Sequence, residues 1–102
     1  MTNNIILHID KNLKVPMYIQ LYKKLKNLIE KGELKEGEKL PSIRSLADDL
    51  EVNNVTIVNA YKLLEQENYV YSKKGSGTYV RKQLNELQFG YFEDENMDLM
   101  TN

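Results

Sequence analysis

A mainly α-helical domain closed by one small β-hairpin is the fold class this sequence predicts, on three observations. Apolar residues recur at helical spacing in three successive stretches, at 18–29, 43–50 and 57–64. The second and third stretches are joined by only about three residues. Two β-favouring runs then enclose a loop that contains two glycines.

The elements follow in order. Residues 5–9, Ile-Ile-Leu-His-Ile, read as a short extended arm with β-branched content. Pro16 opens the first helix where its missing N–H costs nothing. Apolar residues at 18, 21, 22, 25, 28 and 29 then form one stripe, with Lys23, Lys24, Lys26 and Lys31 facing away. Gly32 suits a left-handed helix end, and residues 33–37 read as a turn. Pro41 disfavours the helical state at Leu40, and Ser42 can cap the next helix, whose inner side is Ile43, Leu46, Ala47 and Leu50. Residues 51–53 make a tight turn with Asn53 as N-cap of a third helix. That helix runs to about Asn68, with Ile57, Ala60, Tyr61 and Leu64 inside. Tyr69-Val70-Tyr71-Ser72 and Thr78-Tyr79-Val80-Arg81 are the hairpin strands, around a five-residue loop, Lys73-Lys74-Gly75-Ser76-Gly77. Helix, short helix, tight turn, helix and hairpin is the order of a winged helix-turn-helix.

Composition narrows what such a domain can do. At 102 residues the chain is one domain, since domains most often hold ~100–150 residues, and a second catalytic domain does not fit. With 41% hydrophobic and 28% charged residues it can build a small core. A net charge of −1 argues at face value against a nucleic-acid partner. The distribution reverses that inference. Residues 1–82 hold 14 basic and 10 acidic residues, a net of +4, whereas Glu86, Glu93, Asp94, Glu95 and Asp98 give the last 20 residues −5.

Zero cysteines remove a disulfide framework, a thiolate metal site and a cysteine nucleophile, and His8 is the single histidine. No carboxylate pair, nucleophile–base set or phosphate loop appears, so no enzyme activity, catalytic residue, metal or cofactor is expected. No apolar run approaches the ~18–20 residues of a membrane span, and the first ten residues do not form a signal peptide. The expectation is a soluble cytoplasmic protein with no membrane partner.

The chemistry lies in the second and third helices and the hairpin. The start of the third helix offers Asn53, Asn54 and Thr56. Asparagine pairs bidentately with adenine, and a threonine methyl packs on the thymine methyl. Helix N–H groups at that end favour phosphate. Arg44, in the first turn of the second helix, has a planar fork suited to guanine or phosphate. The plainer alternative is that Asn53 only caps and Arg44 is a solvated surface residue. Lys73 and Lys74 beside Gly75, Ser76 and Gly77 put charge on a turn whose backbone can approach a phosphate or a minor groove. Here the alternative is a solvated turn.

The ordered motifs carry a resemblance. Leu40 to Ala47 (LPSIRSLA), Val52 to Tyr61 (VNNVTIVNAY), Leu64-Glu65 and Gly75 to Val80 (GSGTYV) resemble the winged-helix domain of GntR-type bacterial repressors. Pro16 to Leu21 (PMYIQL) and Gly32 to Pro41 (GELKEGEKLP) match the same family's opening helix and turn. The resemblance covers about residues 5–82. It implies that Arg44, then Asn53, Asn54 and Thr56, then the wing around Lys74, Gly75 and Ser76 touch operator DNA; Ser42 and Lys73, beside them in sequence, complete the candidate DNA-binding set. Two departures stand out: the family commonly has arginine at the position of Asn54 and glycine at that of Glu51. A non-glycine residue in a left-handed turn costs roughly 1 kcal/mol.

Two branches share these motifs. YtrA-like short regulators carry a small helical dimerisation tail. In MocR-like regulators a linker joins the winged helix to a domain resembling a pyridoxal-phosphate aminotransferase, absent from this sequence. Residues 83–102 are acidic yet rich in apolar groups (Leu84, Leu87, Phe89, Phe92), fitting either a dimerisation segment or a linker. The resulting expectation is a sequence-specific repressor that binds a two-fold-symmetric double-stranded operator as a homodimer. The competing class is a protein-interaction winged helix that binds no DNA. Neither the effector nor the operator sequence is legible.

Overall fold

In the computed structural model, residues 7–83 are described. Helices α1 (Met17–Glu30), α2 (Ile43–Leu50) and α3 (Asn54–Gln66) precede an antiparallel hairpin of β1 (Val70–Lys73) and β2 (Gly77–Val80). This is the predicted winged helix-turn-helix.

Helix α1 begins one residue after Pro16, whose carbonyl accepts from the N–H groups of Ile19 and Gln20 at 3.1 Å. The apolar stripe behaves as its spacing requires: Leu21, Leu25 and Ile29 are buried, and Tyr18, Tyr22 and Leu28 pack against them. Periodicity misses Gln20, which is buried and fully used. Its Oε1 accepts from the Asp10 N–H at 2.9 Å, and its Nε2 donates to the carbonyls of Asp10 and Val15 at 3.0 and 2.9 Å. The polar side chain thereby satisfies backbone groups of the entering segment, which is what makes its burial tolerable. Leu7 to Ile9 form no strand, although Ile9 is buried; Ile5 and Ile6 of the expected arm lie outside the described residues.

All three helices close with the same device. A residue with positive φ follows the last helical turn, at Gly32 (81°), Glu51 (59°) and Asn68 (66°). The next N–H then reaches back to a helical carbonyl: Glu33 to Leu28 at 2.9 Å, Val52 to Ala47 at 3.0 Å and Tyr69 to Leu64 at 2.9 Å. These bonds satisfy carbonyls that a helix end leaves without partners. Asn68 is why α3 stops at Gln66, short of the predicted end: asparagine tolerates the left-handed region and turns the chain into the hairpin.

Helix α3 packs against α1, α2 and β1, burying Ile57, Ala60, Tyr61 and Leu64. Val70 and Val80, paired across the hairpin, seal the same core. Full burial of an aliphatic side chain is worth roughly 1.5–3 kcal/mol. The hairpin differs from expectation in register. Lys73 pairs with Gly77, so both belong to strands and the loop is three residues, Lys74, Gly75 and Ser76. A further extended segment lies beside β2. Val80 N–H donates to the Glu38 carbonyl and Leu40 N–H to the Thr78 carbonyl, each at 2.8 Å, with one bridge between Lys39 and Tyr79.

Candidate nucleic-acid interface

The α2–turn–α3 unit is built from local signals. Ser42 sits extended before α2, and its Oγ accepts from the Ser45 N–H at 3.1 Å. That bond fixes the first turn on which Arg44 stands, exposed. The turn at 51–53 is held by one long-range and one local hydrogen bond to backbone. Lys11 Nζ donates to the Glu51 carbonyl at 2.7 Å, and Val52 N–H reaches Ala47. Tyr61, one face of α3, donates its hydroxyl to the Pro41 carbonyl at 2.7 Å and so locks α3 to the start of α2. Burial pushes the Tyr61 phenol far above its usual range, keeping it a neutral donor.

Asn53 holds the N-cap position by backbone geometry, and its carbonyl accepts from Thr56 N–H at 3.0 Å. Its side chain makes no capping bond, contrary to the expectation drawn from its residue type. Asn53 and Asn54 are both exposed, and neither side-chain amide has a hydrogen-bond partner among the described residues. Thr56 is half-buried, as is Val58 on the same helix. Val55, 63% exposed, completes the outward turn. Sequence reading passed over Val55, although its place off the stripe of 57, 60, 61 and 64 marks it as outward-facing.

The hairpin brings the other candidates together. Ser76 N–H closes the turn onto the Lys73 carbonyl at 2.9 Å, and the hydroxyls of Ser76 and Tyr79 are hydrogen-bonded. Lys74, Gly75 and Ser76 are exposed at the tip, and Lys73 Nζ lies 5.7 Å from the Tyr79 ring centre. The candidates thus fall into three groups: Ser42 and Arg44 at the start of α2, Asn53, Asn54 and Thr56 at the start of α3, and Lys73 to Ser76 on the wing. Of the α1 lysines expected to be solvated, Lys26 is half-buried between the rings of Tyr22 and Tyr69, at 5.7 and 5.8 Å. Among the described residues no cluster of His, Cys, Asp or Glu is arranged to hold a metal, and no helix is long and apolar enough to cross a membrane.

Comparison with known proteins bears on this arrangement. Residues 17–80 match the family model described as bacterial regulatory proteins, gntR family. The chain is 43% identical over 75 residues to the probable rhizopine catabolism regulatory protein MocR of Rhizobium meliloti, covering 74% of this chain and 15% of that protein. It is 40% identical over 75 residues to the HTH-type transcriptional repressor YtrA of Bacillus subtilis, covering 74% and 58%. It therefore spans less than two thirds of the length of either relative. Among solved structures, the DNA-binding domain of AraR in complex with operator ORX1 superimposes with a TM-score of 0.63 at 26% identity, over 74% of this chain and 99% of that one. With a family match over most of its length and the three-helix, one-hairpin architecture that its relatives share, the chain belongs to the gntR family of bacterial regulatory proteins.

Proposed function

We propose that this chain is the operator-reading part of a cytoplasmic transcriptional repressor, a dimer that binds a two-fold-symmetric duplex. The observation that carries the reading is the first turn of α3. Two asparagine amides stand there exposed and without hydrogen-bond partners among the described residues, on a helix joined to the start of α2 by the Tyr61–Pro41 bond. Laid in a major groove, Asn53 and Asn54 present the donor–acceptor pair that complements adenine, while the methyls of Val55 and Thr56 suit thymine. Arg44 reaches a guanine or a phosphate, and Ser42 positions it. Lys73, Lys74, Gly75 and Ser76 hold the flanking backbone or minor groove. Residues 5–82 form the reading domain, and residues 83–102 supply the dimer contact. Two copies then address half-sites about one helical turn apart, ~34–36 Å. The names of YtrA and of the AraR–operator complex support this reading. The domain itself has no catalytic role.

Selection of bound fragments from genomic DNA tests the proposal. The expected product is a palindromic site bound far more tightly than random duplex, with affinity falling steeply as salt rises. Absence of any duplex binding at low salt would favour the protein-interaction reading instead. The 43% identity to MocR favours a second reading, in which the same domain is the N-terminal part of a longer regulator. The reading frame downstream of Asn102 separates the two: a stop codon favours the short regulator, several hundred further residues the longer one.

A further inference from the structure

The register sorts the hairpin into two faces, because alternate residues of a strand point to opposite sides. Val70 and Val80 lie on the buried face. Tyr71, Lys73 and Tyr79 lie on the other, continued by Arg81 just beyond β2. On that outer face the rings of Tyr71 and Tyr79 stack at 5.8 Å and 24°. Lys73 Nζ sits 5.7 Å from the centre of the Tyr79 ring, and the Arg81 guanidinium carbon 5.6 Å from that of Tyr71. The bridge between Lys39 and Tyr79 adds a third cation. Lys39 crosses Gly77 so closely that a Cβ there would stand 2.6 Å from Lys39 Cε, so glycine is what lets the lysine lie along the strip.

Among the described residues, the Lys39, Lys73 and Arg81 cations and the Tyr71 hydroxyl have no hydrogen-bond or ion-pair partner. Two nearby carboxylates accept hydrogen bonds from groups outside the strip. Glu38 accepts from the Lys35 N–H at 2.6 Å, and Glu65 accepts from the Ser72 hydroxyl at 3.3 Å. Glu67 lines the same shallow hollow as Arg81 without pairing to it. A cation held over a ring face is positioned while its N–H donors stay open to an outside acceptor.

We propose that this outer face, formed by Lys39, Tyr71, Lys73 and Arg81, is a phosphodiester-binding strip that grips duplex DNA beyond the bases α3 reads. The inference rests on the operator-reading function and extends it. The strip is continuous with the wing tip that already faces the duplex in that reading. From the level of Lys73 to that of Arg81 it runs four residues along the strands, ~13 Å, or roughly four base pairs of duplex axis. Its groups are charges and one phenol, which answer a repeating anion and carry no code for base edges, so the grip is indifferent to sequence.

The test measures binding of the full 102-residue chain to an arbitrary duplex of about three helical turns across a salt series. The double variant K39Q/R81Q lowers the slope of log K against log salt by about 2, since each phosphate contact contributes ~0.9. Arg81→Gln alone, at an exposed position outside β2, lowers it by about 1 and guards against misfolding of the pair. Tyr71→Ala leaves the charge unchanged yet weakens binding ~2–5-fold, because Arg81 loses its ring support. All three keep the wild-type preference for a selected operator over random duplex. An unchanged slope in both charge variants overturns the strip and leaves the operator-reading function standing. Tighter binding of single-stranded DNA that depends on Tyr71 also overturns it, making the face a base-stacking platform. If the wild-type chain binds no duplex, both proposals fall.

Discussion

Glu51, Gly32 and Asn68 do the same backbone job with unequal suitability. Glycine adopts the left-handed region freely and asparagine tolerates it, but glutamate pays roughly 1 kcal/mol for its Cβ. The Lys11 bond to the Glu51 carbonyl helps hold the turn in place. Glu51→Gly is therefore expected to raise the melting temperature by several degrees, as ~1 kcal/mol does in a domain of this size, and calorimetry checks it. By removing a carboxylate next to α3 it should also strengthen duplex binding at low salt. Asn54 is the second departure from the pattern that the family resemblance implies, which has arginine there. Asn54→Arg should add one phosphate contact and steepen the salt slope by about 1. Arg44→Ala should cost ~1–3 kcal/mol of binding. Loss of preference at one base pair means that Arg44 reads a base, whereas uniform loss across sequences means that it holds phosphate.

At the scale of elements, the Tyr61 hydroxyl joins α3 to α2, and Tyr61→Phe should reduce stability by about 1 kcal/mol, measured by urea unfolding. Burial raises the phenol pKa of Tyr61, and burial with the Glu30 hydrogen bond raises that of Tyr69. The folded state thus holds these protons more tightly than the unfolded chain. Their contribution is fully present at neutral pH and is lost as pH rises beyond 10.0, the unshifted value. Stability should be flat through the neutral range and fall in strong alkali, with a shallower fall in Tyr61→Phe. These elements differ in how far sequence reveals them. Ser42, Gly32 and the 57–60–61–64 stripe are legible because a cap, a left-handed end and a helical period are local properties of the chain. Gln20, the Lys39–Tyr79 bridge and the Lys73–Gly77 register are not, because each depends on a partner distant in sequence or on tertiary packing. The Asn53 side chain is a different case. It holds the N-cap position that the sequence assigns, but the side-chain bond its residue type suggests is not made, and the freed amide is visible only in three dimensions.

For the whole molecule, the mean charge of −1 describes no part of it: a body of +4 carries every candidate DNA contact, and a segment of −5 follows. If that acidity opposes the duplex, replacing Glu93, Asp94 and Glu95 with their amides should raise affinity for any duplex at low salt, with the gain fading as screening increases. An equal gain at every salt concentration would point to a change in assembly instead. The fold distributes the work, with α1 and the Gln20-anchored entry bracing α3, α3 presenting its first turn, and the hairpin presenting a basic tip and outer face. The most direct measurement compares the wild-type chain with Asn53→Ala/Asn54→Ala on a genomically selected operator and on random duplex, across salt. The wild type is expected to prefer the operator by at least ~10³-fold, the double variant to lose most of that preference, and both to keep the same salt slope. Equal binding of operator and random duplex by the wild type, or full preference retained by the variant, would contradict that expectation.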